Sequence, residues 1–122
     1  MKLYLWIALG SALGGVARHA AGTFAAARYP GLFPWGTLAV NLLGSFAIGV
    51  AAAWPEGRID ATTRMFLTAG VLGGFTTFSA FSLQTAQLFT GGHAAAAAIY
   101  MAGSALACPL LAWAGWRVAQ NL

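Results

Sequence analysis

Gly73–Gly74–Phe75–Thr76–Thr77–Phe78–Ser79–Ala80–Phe81–Ser82 lies midway along an apolar segment that runs from about Thr62 to Phe89. Two glycines, two threonines and two serines crowd into ten residues. Glycine weakens a helix, and threonine loses side-chain freedom in one. The stretch therefore predicts a helix that breaks at its centre. In lipid, irregular backbone survives only where protein buries it or water reaches it. An unwound turn here would aim backbone carbonyls inward, and unwound carbonyls at mid-membrane are a recognised sodium-binding arrangement. A helix whose small residues only permit close packing is the competing reading. The density of hydroxyls and phenylalanines favours the break.

The rest of the chain decides that the solvent is lipid. Hydrophobic residues make up 60% of the sequence and charged residues 7%, against about 25% charged in a soluble domain. A chain of 122 residues cannot hide that much apolar surface in one core. A spanning helix needs roughly 20 mostly apolar residues, and four such segments fit: about Leu3–Ala25, Trp35–Trp54, Thr62–Phe89 and His93–Val118. The expected fold is an all-α integral membrane protein, a single four-helix domain over residues 1–122 with a break in the third helix. The connector Pro55–Glu56–Gly57–Arg58–Ile59–Asp60 holds both acidic residues, and Asp60 or Thr62 is placed to cap the helix that follows. Lys2 before an apolar run resembles a signal peptide, but the length of the run and Gly10, Gly14 and Gly15 suit a packed, retained helix.

Charge adds limits. The net charge is +4, yet the basic residues are too scattered for a nucleic-acid patch. Lys2, Arg58, Arg64 and Arg117 fall on one side of the membrane, Arg28 and Arg18 toward the other. So small a bias fits insertion in both orientations, or a modest preference for one. Cys108 is the single cysteine, so it makes neither an internal disulfide nor a zinc site alone.

Two polar stripes cross the apolar spans. Thr37, Asn41 and Ser45 recur every four residues in the second span, and Tyr100, Ser104 and Cys108 do so in the fourth. An amide deep in a membrane helix needs a partner, water or a substrate. Asn41 offers two N–H donors; an interhelical bond worth about 0.6 kcal/mol is the plainer use for it. Phe78 and Phe81 are three apart and share a helix face, with ring edges that are electropositive. Together these residues describe a track of neutral donors suited to a small, strongly hydrated anion, since neutral groups bind without trapping. Cation transport would call for intramembrane carboxylates, which the spans lack. Arg18 reads either as an electropositive vestibule or as an arginine snorkelling to the interface. Gly10 with Gly14, Ser11 with Gly15, and Ser45 with Gly49 supply small-xxx-small pairs.

These residues resemble the CrcB/Fluc fluoride channels: Gly14–Gly15 with Arg18, Gly36–Thr37–Leu38–Ala39–Val40–Asn41 with Gly44, and the Gly73–Ser82 stretch, in order and over nearly the whole chain. The resemblance implies an antiparallel, dual-topology homodimer in the plasma membrane that exports fluoride passively through two pores. It implies a structural sodium ion at the dimer centre, held by backbone carbonyls of Gly73 and Thr76. It places Asn41, Phe78 and Phe81 in the pore, Thr37, Tyr100 and Ser104 on the polar track, and Arg18 in the vestibule. Ala80 stands where the family often has threonine, and Cys108 where a serine often extends the track. Lipid is the expected surrounding and no nucleic acid a partner; no catalysed chemistry is expected. Two other classes stay open: a small proton-coupled multidrug-type exporter, which would need a glutamate in the first helix, and a membrane scaffold protein.

Overall fold

The computed structural model describes residues 1–122. Helix α1 covers Lys2–Arg28 and α2 covers Trp35–Ala53. The third segment is composite. It opens as α3, Ala61–Met65, widens into a π-helix over Phe66–Leu72, and tightens again as α4, Gly73–Phe75. After Thr76–Thr77 it resumes as α5, Phe78–Thr90, and α6 spans Ala94–Ala119. The break falls inside the stretch that predicts it. The π-helix has no precursor in the sequence reading.

Trp35–Ala53, Ala61–Thr90 taken as one segment, and Ala94–Ala119 are long and apolar enough to cross a membrane. The sequence predicts a fourth. At 27 residues, α1 has the length, roughly 40 Å at 1.5 Å per residue. Its apolarity is diluted by Lys2, Arg18, His19 and Arg28 and by four glycines. Only 16 of the 122 residues are buried within the chain, so most of the apolar surface must be covered by something other than this chain's own core.

Caps fix the ends. Asp60, rather than Thr62, caps α3, its Oδ1 accepting the Thr63 N–H at 2.6 Å. One turn further on, Arg64 reaches back to α2, donating to the carbonyls of Ala51, Ala52 and Trp54. These are the carbonyls that a helix C-terminus leaves unpaired, and a cation there also suits the helix dipole.

Close backbone approach sets the helix pairs. A Cβ at Gly10 would lie 2.9 Å from the Phe66 carbonyl oxygen, and one at Gly14 would collide with that of Val71. At Gly74 it would sit 2.8 Å from the Ser11 Cα. Thus α1 lies directly on the π-helix and α4. On the other side, Gly49 faces the Ala112 carbonyl and Gly115 that of Phe46, joining α2 to α6. Of the expected small pairs, Gly10, Gly14 and Gly49 serve contacts of this kind, whereas Gly15 faces open space.

Gly14→Val should lower the unfolding midpoint of the detergent-solubilised protein by the equivalent of about 1–3 kcal/mol, the range for overpacking; Gly15→Ala should leave it unchanged. Equal effects at the two positions would refute the packing assignment. The hydrogen bond from the Thr63 backbone N–H holds the Asp60 carboxyl below its ordinary value. Because the folded value is the lower one, this stabilisation is complete above the ordinary carboxylate range and is lost as pH falls through the lowered value. Asp60→Ala should therefore flatten the acid limb of a stability–pH profile.

Candidate functional site

The break is built by one side chain. In a continuous helix the Thr77 N–H would bond the Gly73 carbonyl. Here it donates to Asn41 Oδ1 at 2.8 Å, while Asn41 Nδ2 donates to the Thr77 carbonyl at 3.0 Å. Thr76 (φ −82°, ψ 157°) and Thr77 (φ −152°, ψ 124°) are both extended. The helix restarts on its own cap, Thr77 Oγ1 accepting the Ala80 N–H at 3.2 Å. On the other face Arg18 Nε donates to the Gly74 carbonyl at 3.1 Å. Gly44 makes room for the Thr76 methyl, which a Cβ would strike.

Two grooves meet at this break. The first, about 620 Å³, is lined by Asn41, Ser45, Gly73, Thr76, Phe78, Phe81, Ser104 and Cys108 among others. Asn41 Nδ2 gives one N–H to Thr77 and retains a second. Ser104 is 6% exposed, and its hydroxyl has no hydrogen-bond partner in the chain. Buried polar groups are nearly always paired, so an orphan hydroxyl calls for a ligand or water. Phe78 and Phe81 lie with ring centroids 5.4 Å apart and planes at 50°. Phe81 is buried against Tyr100, centroids 5.1 Å apart, whereas Phe78 is 80% exposed.

The second groove, about 610 Å³, contains Arg18, His19, Thr37, Thr77 and Gln84 and has no acidic residue in its lining. Thr77 lines both grooves. The buried Tyr100 packs on Phe81 of the first groove and bonds Gln84 of the second. Its hydroxyl donates to Gln84 Oε1 at 2.9 Å, and Gln84 Nε2 donates to Thr37 Oγ1 at 2.9 Å.

The structure therefore brings Asn41, Phe78, Phe81 and Ser104 to one groove, with Ser45 and Cys108 beside them. Thr37 and Tyr100 are joined through Gln84, which the sequence reading misses. The available signal is its place three residues after Phe81, on the inward side of α5. Arg18 is tied to the broken helix by its Nε rather than extended to a helix end, and it lines the second groove. No three His, Cys, Asp or Glu side chains approach closely enough to hold a metal. A cation at the break would depend on backbone oxygens, which suits a hard ion such as an alkali or alkaline-earth cation rather than a transition metal. Gly73, whose carbonyl loses the Thr77 N–H, and the extended Thr76 both line the first groove, so the donor chemistry fits a sodium ion.

Residues 5–116 match the family described as CrcB-like protein, Camphor Resistance (CrcB). The chain belongs to that family. It is 50% identical to the fluoride-specific ion channel FluC of Opitutus terrae, across 100% of this chain and 96% of the relative. The FluC protein of Methylocella silvestris is 46% identical over 95% of this chain and 92% of its own length. A FluC protein of Thermus thermophilus is 45% identical over 100% of this chain and 97% of its own.

Asn41→Leu should destabilise the protein by about 1–3 kcal/mol for each backbone group of Thr77 left unpaired, read as a drop in unfolding midpoint. Ser45→Ala, one turn away with no hydrogen bond to lose, should shift it little. If Asn41→Leu unfolds like the parent, the Asn41 amide does not hold the break.

Proposed function

We propose that this chain is a passive, fluoride-selective channel of the plasma membrane that lowers cytoplasmic fluoride. The observation that carries the reading is the unpartnered, buried hydroxyl of Ser104 in the groove that also holds a free N–H of Asn41 and the rings of Phe78 and Phe81. Fluoride is small and strongly hydrated, so a pore must replace its water with close donors. A hydroxyl, an amide N–H and electropositive ring edges do this without a full charge, and weak multiple contacts allow release. Arg18, in a groove free of carboxylates, raises the local concentration of anions. The full-length relatives named as fluoride-specific ion channels support the same assignment.

The site residues take these roles: Asn41, Phe78, Phe81 and Ser104 contact the ion, Thr37 and Tyr100 extend the track through Gln84, and Arg18 forms the vestibule. α1 is the fourth membrane-crossing helix. Leu5, Leu9, Leu13 and Val16 are each at least 57% exposed and form a lipid-facing stripe, while its glycine face packs on the π-helix. The working unit is an antiparallel homodimer of oppositely inserted copies. The exposed Phe78 and the open first groove favour it, because one chain supplies only part of a wall. A sodium ion shared by the copies would be held by the Gly73 and Thr76 carbonyls of each and would offset the dipoles of carbonyls that the break leaves without helical donors. Glu56 is exposed in the connector, bridged to Ile59, and Asp60 caps α3. Neither can serve as the intramembrane carboxylate of a proton-coupled exporter.

Purified protein in liposomes should pass fluoride and exclude chloride. Asn41→Asp, which sets a negative charge in the lane, should cut fluoride flux by at least about tenfold. Replacing sodium exhaustively with a large organic cation should depress flux in the parent. Absence of fluoride flux would refute the reading outright, and undiminished flux without sodium would remove the central ion.

A further inference from the structure

Cys108 is the chain's free cysteine, half-buried on α6, and it lines the first groove one helical turn beyond Ser104. Ser104 is the second, independent mark of a ligand path at this spot: it is 6% exposed and its hydroxyl has no partner. Ser45 on α2 and Pro109 on α6 line the same groove. Pro109 lacks an N–H, which leaves the Ala105 carbonyl, one turn below, without its helical donor. Ala105 also lines the groove. The thiol therefore lines the same open groove as the hydroxyls of Ser104 and Ser45.

We propose that Cys108 is a modification site for small thiol-directed electrophiles, and that a substituent on its sulfur closes the lane reversibly. The inference rests on the reading of the first groove as the fluoride path. The chemistry with methyl methanethiosulfonate is simple. The Cys108 thiol loses its proton to water, and the thiolate attacks the methylthio sulfur of the reagent. The reagent's S–S bond breaks, methanesulfinate leaves, and Cys108 carries a methyl disulfide. Reduction by excess dithiol restores the thiol by exchange. A weak donor is thereby replaced by an apolar cap one turn from Ser104 in the same groove. A strongly hydrated ion cannot exchange water for methyl contacts without a large desolvation cost, so even a small group should stop conduction.

The test uses the full-length protein in liposomes, with flux recorded before and after exposure to methyl methanethiosulfonate and intact mass measured on the same sample. The expected result is one added methylthio group, a fall in fluoride flux of at least about tenfold, and recovery of both mass and flux after dithiothreitol. Cys108→Ser should gain no mass, and its flux should not change on treatment relative to its own untreated rate. Parent protein that never conducts would overturn the channel reading rather than this inference. Parent that conducts but takes up no label shows the thiol out of reach of the groove, and overturns the inference. Full labelling with unchanged flux places Cys108 off the ion path, and overturns it equally.

Discussion

The reciprocal pair between the Asn41 amide and the backbone of Thr77 is the constraint on which the rest of the structure depends. A break in a helix surrounded by lipid leaves N–H and C=O groups that water cannot satisfy, at several kcal/mol each. Asn41 replaces the missing rung with one donor and one acceptor from a neighbouring helix. Because it takes the Thr77 N–H, the Gly73 carbonyl is released. Because Thr77 is held extended, α5 can begin with a cap of its own and with Phe78 projecting from the first turn. The same amide keeps a spare N–H in the groove. One residue thus supports the backbone of the break and faces the space that the break creates.

Arg18 plays the matching part on the opposite side. Its Nε meets the Gly74 carbonyl, another group freed where the helix stops. A full charge at that depth is costly unless paired or wetted. Tied to a carbonyl and lining a groove with no carboxylate, it keeps a field that favours anions while standing apart from Ser104 and the phenylalanine rings. The Tyr100–Gln84–Thr37 chain, whose Gln84 and Thr37 line the same groove as Arg18, offers only neutral groups. On the proposed reading, Arg18 gathers anions in one groove and neutral donors line the other. That division suits throughput, because an arginine inside the lane would hold an anion too firmly to release it.

The break, the four helical segments and the membrane setting are legible in the sequence because composition and local propensity report on them directly. The four-residue recurrence of Thr37, Asn41 and Ser45 also places these residues on one face of α2. Partners across space are not legible. Asn41 reads as a donor to an anion or a glue between helices, and nothing in the linear pattern says that it binds the backbone at Thr77. Gln84, three residues after Phe81, shares a helix face with it, but that spacing says nothing of its bonds to Tyr100 and Thr37. Arg64 reads as an interfacial charge; its carbonyl partners on α2 come within reach only when the connector folds back. The π-helix is not legible either. Gly10 and Gly14 bring α1 close against Phe66–Val71, where the third segment widens, and no propensity scale carries that contact across space.

The apolar deficit of α1 follows from the same geometry. A helix that must lie backbone to backbone on the π-helix needs glycines on one face, and one that must reach the broken helix needs Arg18. Both lower its hydrophobicity without shortening it. On the proposed reading, the leucines at positions 5, 9 and 13, with Val16, face lipid on the outer side. Composition averaged around a helix therefore understates membrane affinity whenever one face is committed to close packing. On the proposed reading the first groove is a parallel case: Phe78, 80% exposed in the single chain, is too apolar to face water and too near the break to face fluid lipid without opening the carbonyl rim to it. A second copy crossing the same plane would cover the ring and close the rim together, so assembly and ion path would arise from one surface.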